Sequence, residues 1–214
     1  MEQRCYSPID HLVTQVDQTL RTLAGKPRVT GRPNPAHRIE ESKLTSAERE
    51  ESARLMRVNH AGEIAAQALY QGQALTARLE DVKERMEEAA AEENDHLAWC
   101  AERVRELGSH TSFLGPLWYL GSFVIGATAG AVGDKWSLGF VAETERQVIH
   151  HLDGHLVRMA PEDRRSRAIV EQMKSDEAHH GAAARAAGGV ELPRLIRRLM
   201  QVTAKVMTGT AYWI

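Results

Sequence analysis

Apolar residues recur along this chain at helical spacing, in long runs broken by clusters of glycine and proline. Residues 9–24 place Ile9, Leu12, Val13, Val16, Leu20 and Leu23 on one face, and the run closes at Gly25. Residues 25–44 interrupt the pattern with Gly25, Pro27, Gly31, Pro33 and Pro35, and Lys26, Arg28, Arg32 and Arg38 make the stretch basic. That composition predicts a solvated connector, with contact to anionic lipid as the second reading. Thr45-Ser46-Ala47-Glu48 is a capping-box sequence that starts a long helix running to about Leu79. A second helix follows from about Asp81 to Leu107 and stops at Gly108. Two more cover about Lys135–Met159 and Glu162–Ala187, with Pro161 between them and Gly188-Gly189 after the last. A basic, amphipathic run from Leu192 to Ile214 ends the chain, to lie on a membrane interface or pack as a last helix.

Between the two helical pairs lies a stretch without charge, residues 111–133, near the roughly 20 residues that a bilayer span requires. Its five glycines and Pro116 keep it only moderately apolar. A span there would also put two halves of a shared site on opposite sides of a membrane. The expectation is therefore a crossover packed on a bundle and touching a membrane surface.

The shared site comes from polar residues in the wrong place. One stripe of the second long helix reads Val82, Met86, Ala89, Glu93, His96, Cys100, Val104, and one stripe of the fourth reads Val170, Met173, Glu177, His180, Ala184. A carboxylate and an imidazole three residues apart on an oily face are costly to bury unless something binds them. Each Glu-x-x-His has a lone glutamate upstream: Glu63 precedes Glu93 by 30 residues, and Glu145 precedes Glu177 by 32. In an antiparallel hairpin, residues equidistant from the turn meet at one level. The midpoints fall at residues 78 and 161, where the chain is expected to turn. Neighbouring acids are set aside by their company: Glu92 and Asp95 share a face with Arg85, Glu88 and Glu102, and Asp176 and His179 share theirs with Arg165 and Gln172. Both faces read as solvated, as does Glu143 beside Arg146, Gln147 and His150. The expected fold is an all-α four-helix bundle over residues 45–190, with a helix and linker before it (1–44) and an amphipathic helix after it (191–214).

Composition narrows the chemistry. With 27 basic and 29 acidic residues the chain has no global field for nucleic acid. Cys5 and Cys100 form no metal-binding spacing, and the N-terminal residues lack the apolar core of a signal peptide. No Gly-x-Gly-x-x-Gly is present, so a reductant would come from outside or through a quinol substrate. Four carboxylates and two imidazoles suit a pair of iron or manganese ions better than zinc. Two ferrous ions can together deliver two electrons to dioxygen, yielding an oxidant able to attack an organic molecule.

Three motifs carry a family resemblance: Asn59-His60-Ala61-Gly62-Glu63, Glu92-Glu93-Asn94-Asp95-His96-Leu97 and Asp176-Glu177-Ala178-His179-His180. Over roughly residues 45–214 the chain resembles the bacterial demethoxyubiquinone hydroxylases of ubiquinone biosynthesis. The resemblance implies a ferritin-like di-iron monooxygenase, peripheral on the cytoplasmic face of the inner membrane, that hydroxylates the demethoxyubiquinol ring with dioxygen. It implies iron ligands at Glu63, Glu93 and His96 for one ion and Glu145, Glu177 and His180 for the other, with Glu93 and Glu177 bridging. His150, His151 and His155 offer an outer contact to the metals or substrate, although surface positions are expected for at least two of them. Residues 113–133 and the last helix with Trp213 become candidates for an apolar face toward lipid. Partners implied are the quinol, a membrane surface, and other quinone-biosynthesis proteins or further copies of the chain, without nucleic acid. Two rivals remain: a ferritin-like iron- or peroxide-handling protein, and a non-enzymatic protein that binds quinone or lipid.

Overall fold

Caps and helix-stopping residues set the element boundaries. A computed structural model describes the backbone of residues 8–24 and 27–214. Cys5, Gly25 and Lys26, and the side chains of Ile9 and Leu12, lie outside the described residues. Among the described residues are seven α-helices and no strand: α1 Pro8–Leu23, α2 Ser46–Thr76, α3 Glu80–Glu106, α4 Gly115–Val132, α5 Asp134–Arg158, α6 Arg164–Ala186 and α7 Arg194–Ala211. The capping box forms: the Thr45 and Glu48 backbone N–H groups each donate to the other's side chain, at 2.8 Å into Glu48 and 3.3 Å into Thr45. Helix α3 ends at Gly108 with φ +76° and α6 at Gly188 with φ +98°, conformations that favour glycine. Asp163 caps α6 by accepting from the Ser166 backbone N–H.

The hairpins α2–α3 and α5–α6 make the four-helix bundle. Apolar residues pack at both ends of it. Leu55, Met56, Cys100, Val104, Leu152 and Met173 fill one end, and Val82, Met86, Leu138, Val141 and Ala184 the other. The level between them carries the charged residues described below.

The uncharged crossover forms α4, which lies along α2. Their backbones touch at glycines: a Cβ on Gly126 would stand 2.1 Å from the Leu69 carbonyl oxygen, and one on Gly72 2.3 Å from that of Phe123. The opposite face of α4 is bare, with Leu117, Leu120 and Val124 all more than half exposed. By length and composition α4 is one helix, among the described residues, that could cross a membrane. Exposed apolar residues also run along α7 (Leu195, Leu199, Val202, Val206) and α1 (Val13, Val16, Leu20).

The connector before α2 departs from expectation. It is not simply solvated, because residues 27–44 strap across the bundle. Asn34 and Ala36 are buried around a 3-10 turn at Pro35–Arg38. Asn34 donates to Glu102 at 2.7 Å, and Glu41 accepts from the fully buried Arg103 at 2.6 Å.

Candidate metal centre

Each bundle helix delivers its part at one level. Glu63 comes from α2, Glu93 and His96 from α3, Glu145 from α5, and Glu177 and His180 from α6; all six are buried. Ligand atoms of Glu63, Glu93, His96 and Glu177 lie within 4.8 Å of one another. His96 Nδ1 sits 3.0 Å from Glu93 Oε2, 3.3 Å from Glu177 Oε1 and 3.7 Å from Glu63 Oε2. His180 Nδ1 is 3.3 Å from Glu177 Oε2 and 3.4 Å from Glu93 Oε1. Glu145 lies against Glu177 and accepts a hydrogen bond from the buried Tyr70 hydroxyl. The six sequence-selected residues therefore converge, with both imidazoles turning Nδ1 inward.

Electrostatics show how crowded with negative charge this level is. Burial, reinforced by the Glu93 charge, raises the Glu63 pKa well above the usual carboxylate range. Glu145 is raised likewise by burial and by Glu177. Glu93 is held low: burial opposes its ionisation, but the His96 charge and hydrogen bonds from both imidazoles prevail. Burial disfavours a charged His180, yet bonds to Glu177 and Glu93 push it up to about 12. His96 is raised too, against burial, chiefly by the Glu93 charge. Protons on the imidazoles thus do in this arrangement what cations would do. Glu93 Oε1 is buried and has only His180 Nδ1, at a long 3.4 Å, beside it. An under-satisfied oxygen among four carboxylates and two inward imidazoles fits a pair of hard or borderline metal ions.

The outer contacts depart from the solvated faces expected around Asp95 and Asp176, whereas Glu92 stays partly exposed while turning one oxygen to an imidazole. His96 Nε2 is 2.9 Å from Asp176, the acid that precedes Glu177. His180 Nε2 is 2.8 Å from Glu92, the acid that precedes Glu93. Each half of the repeat thereby orients the imidazole of the other. An acid directly before Glu93 and another directly before Glu177 are visible in the two motifs, and that repetition was the available clue. Asp95 is fully buried and accepts from the Thr30 backbone N–H at 2.8 Å. These faces lie beneath the strap, which periodicity alone does not reveal. Glu143 pairs with Arg146 and Gln147 at 2.7 and 2.6 Å, but it is buried rather than solvated as expected. Of the three histidines on α5 only His150 is exposed, against the expectation that at least two would be. His151 and His155 pack ring to ring, 3.9 Å between centroids, beside a cavity of about 180 Å³ that Tyr212 and Arg158 also line.

The family model described as ubiquinone biosynthesis protein COQ7 matches residues 50–211. The chain belongs to the COQ7 family. Relatives named 3-demethoxyubiquinol 3-hydroxylase are similar along their whole length. The protein of Nitrosococcus oceani is 61 % identical over 100 % of both chains. That of Cupriavidus pinatubonensis is 58 % identical over 96 % of this chain and 100 % of its own. A Legionella pneumophila relative is 53 % identical over 99 % and 100 %. Among solved structures, the thioferritin described as a bacterioferritin-related protein from Bacteroides fragilis superposes with a TM-score of 0.55 at 20 % identity. The match covers 67 % of this chain and 86 % of that one. This COQ7-family chain is therefore ferritin-like in fold, and its buried glutamate–histidine cluster marks a metal site.

Proposed function

We propose that this chain is a di-iron monooxygenase that hydroxylates the ring of demethoxyubiquinol with dioxygen in ubiquinone biosynthesis. The observation that carries the reading is the convergence of four carboxylates and two imidazoles in a chain whose full-length relatives bear the hydroxylase name. Glu63, Glu93 and His96 would hold one iron and Glu145, Glu177 and His180 the other, with Glu93 and Glu177 between them. Iron held there would supply electrons for dioxygen activation. The chain's own residues do the rest. Asp176 and Glu92 accept the Nε2 protons, so that both imidazoles present Nδ1 to the metals. Tyr70 donates to Glu145 and fixes its carboxylate. The apolar clusters at both ends keep water from the charged level.

A quinol with a long apolar tail resides in lipid, so the enzyme works at the cytoplasmic face of the inner membrane. Support for this comes from the bare apolar faces of α4 and α7, with the basic Arg194, Arg197 and Arg198 in the first turns of α7 and Trp213 and Ile214 exposed past its far end. A ferritin-like storage role finds no comparable use for those faces.

Quinone profiling of cells whose only copy carries Glu177→Ala tests the activity. The expected result is accumulated demethoxyubiquinone with ubiquinone falling below a few per cent of the total. A normal ubiquinone profile would overturn it. Iron analysis of the purified wild-type chain is expected to give two ions per chain.

A further inference from the structure

The strap of residues 27–44 precedes residue 50, where the family match begins, yet one of its side chains reaches the metal centre. Arg32 Nη2 donates to Asp176 Oδ2 at 2.7 Å, and that oxygen also holds His96 Nε2 at 2.9 Å. Arg32 Nε donates to Asp95 at 3.2 Å, and Nη1 stands 4.0 Å from Glu92. The guanidinium lies over the Trp99 ring, 5.1 Å from its centroid, and Trp99 in turn packs on His96. Its planar fork thus serves two carboxylates from different helices while its face is stacked. Thr30 anchors the same strap through both its backbone N–H and its hydroxyl to Asp95.

We infer that Arg32 is a positioning residue for the metal centre, fixing His96 as a ligand by holding Asp176, and that it makes the two metal positions unequal. For His96 to offer Nδ1 to a cation as a neutral ring, its proton must sit on Nε2, where Asp176 accepts it. Arg32 keeps Asp176 in that place and offsets its charge. On the other side, the partner of His180 is Glu92, whose side chain is 41 % exposed and has Arg32 only at 4.0 Å. The strap therefore braces the His96 position and leaves the His180 position free to adjust. This inference rests on the metal reading of the previous section.

The test uses the full-length chain, stripped of metal and titrated with Co²⁺ by equilibrium dialysis and visible absorption. Wild type is expected to take up two equivalents; failure to do so would sink the metal reading and this inference with it. In Arg32→Gln one equivalent should weaken by roughly 10- to 100-fold, with altered visible bands, while the other stays within about threefold. Arg32→Lys, which keeps the charge but cannot serve both aspartates, should fall between. Glu41→Gln loosens the strap at Arg103 and leaves Arg32 in place, so its two affinities should match wild type. Wild-type binding of both equivalents by Arg32→Gln and Arg32→Lys would overturn the role of Arg32. Equal weakening by Glu41→Gln would overturn it as well, since the effect would then belong to strap attachment in general.

Discussion

The middle of the bundle and the outer face of α4 are built in opposite senses. At the level of Glu63 the interior holds four carboxylates and two imidazoles, all buried. On α4, Leu117, Leu120 and Val124 face outward with more than half of each exposed. In water alone both arrangements oppose folding, one through buried charge and the other through bare apolar surface. The bundle is held elsewhere, by the two apolar clusters flanking the charged level and by the close backbone seam between α2 and α4. The contrast teaches that a chain can store two unfavourable features side by side when each awaits its own partner. For the interior that partner is metal, and for the outer face we propose an apolar phase.

The largest effect should come from making the outer face ordinary. Replacing Leu117, Leu120 and Val124 together by serine removes about 1 kcal/mol of apolar transfer per side chain. Sedimentation with phospholipid vesicles should then show partitioning reduced by roughly 100-fold. Unchanged partitioning would assign the face to some other use.

Acid should probe the interior next. Burial lowers the pKa of His155 to about 2 and that of His151 to about 4, with Arg158 adding to the effect. Both lie below the ordinary 6.5, so the folded chain binds fewer protons than the unfolded one. The stability these groups permit is complete above about pH 6.5 and is lost as pH falls, by up to about 1.4 kcal/mol per pH unit for each. Urea unfolding at pH 7.5 and 5.5 should show His155→Leu losing about 1.4 kcal/mol less than wild type over that interval, the share of one such histidine. An unaltered slope would mean that other groups set the acid limit.

The smallest effect sharpens the comparison most. Glu145 is disfavoured as a carboxylate by burial and by Glu177, so Glu145→Gln should stabilise the metal-free chain by about 1 kcal/mol in urea unfolding at pH 7. Destabilisation instead would show that the Tyr70 bond outweighs the crowding.

Much of this was legible in the amino-acid order because the relevant forces are local or periodic. The capping box at Thr45, the glycine stops at Gly108 and Gly188, and the hairpin midpoints near residues 78 and 161 all depend on short-range geometry. The six residues chosen from spacing and face meet in the fold for the same reason. What escaped was the covering of one helix by another part of the chain. Asp95 sits on a face whose other members are charged, and nothing in that face announces Thr30 and Arg32, more than 60 residues away. Asp176 is 144 residues from the same arginine. Surface positions are expected for at least two of His150, His151 and His155, but His155 is buried and His151 half-buried, beside a cavity that Val58 of α2 and Tyr212, just past α7, also line.

The glycine seam has one more consequence, which concerns wall thickness. Glu63 and Tyr70 on α2 line the charged level, and α4 rests against α2 with carbonyl oxygens where side chains would otherwise stand. Ordinary helix pairs keep their axes about 8–10 Å apart because side chains intervene. Here three glycines, Gly72, Gly126 and Gly130, remove that spacer, so the bare face of α4 is brought nearer to the charged level than side chains at these positions would allow. The insulation between an oily exterior and a polar reaction chamber is set by a few missing methyl groups.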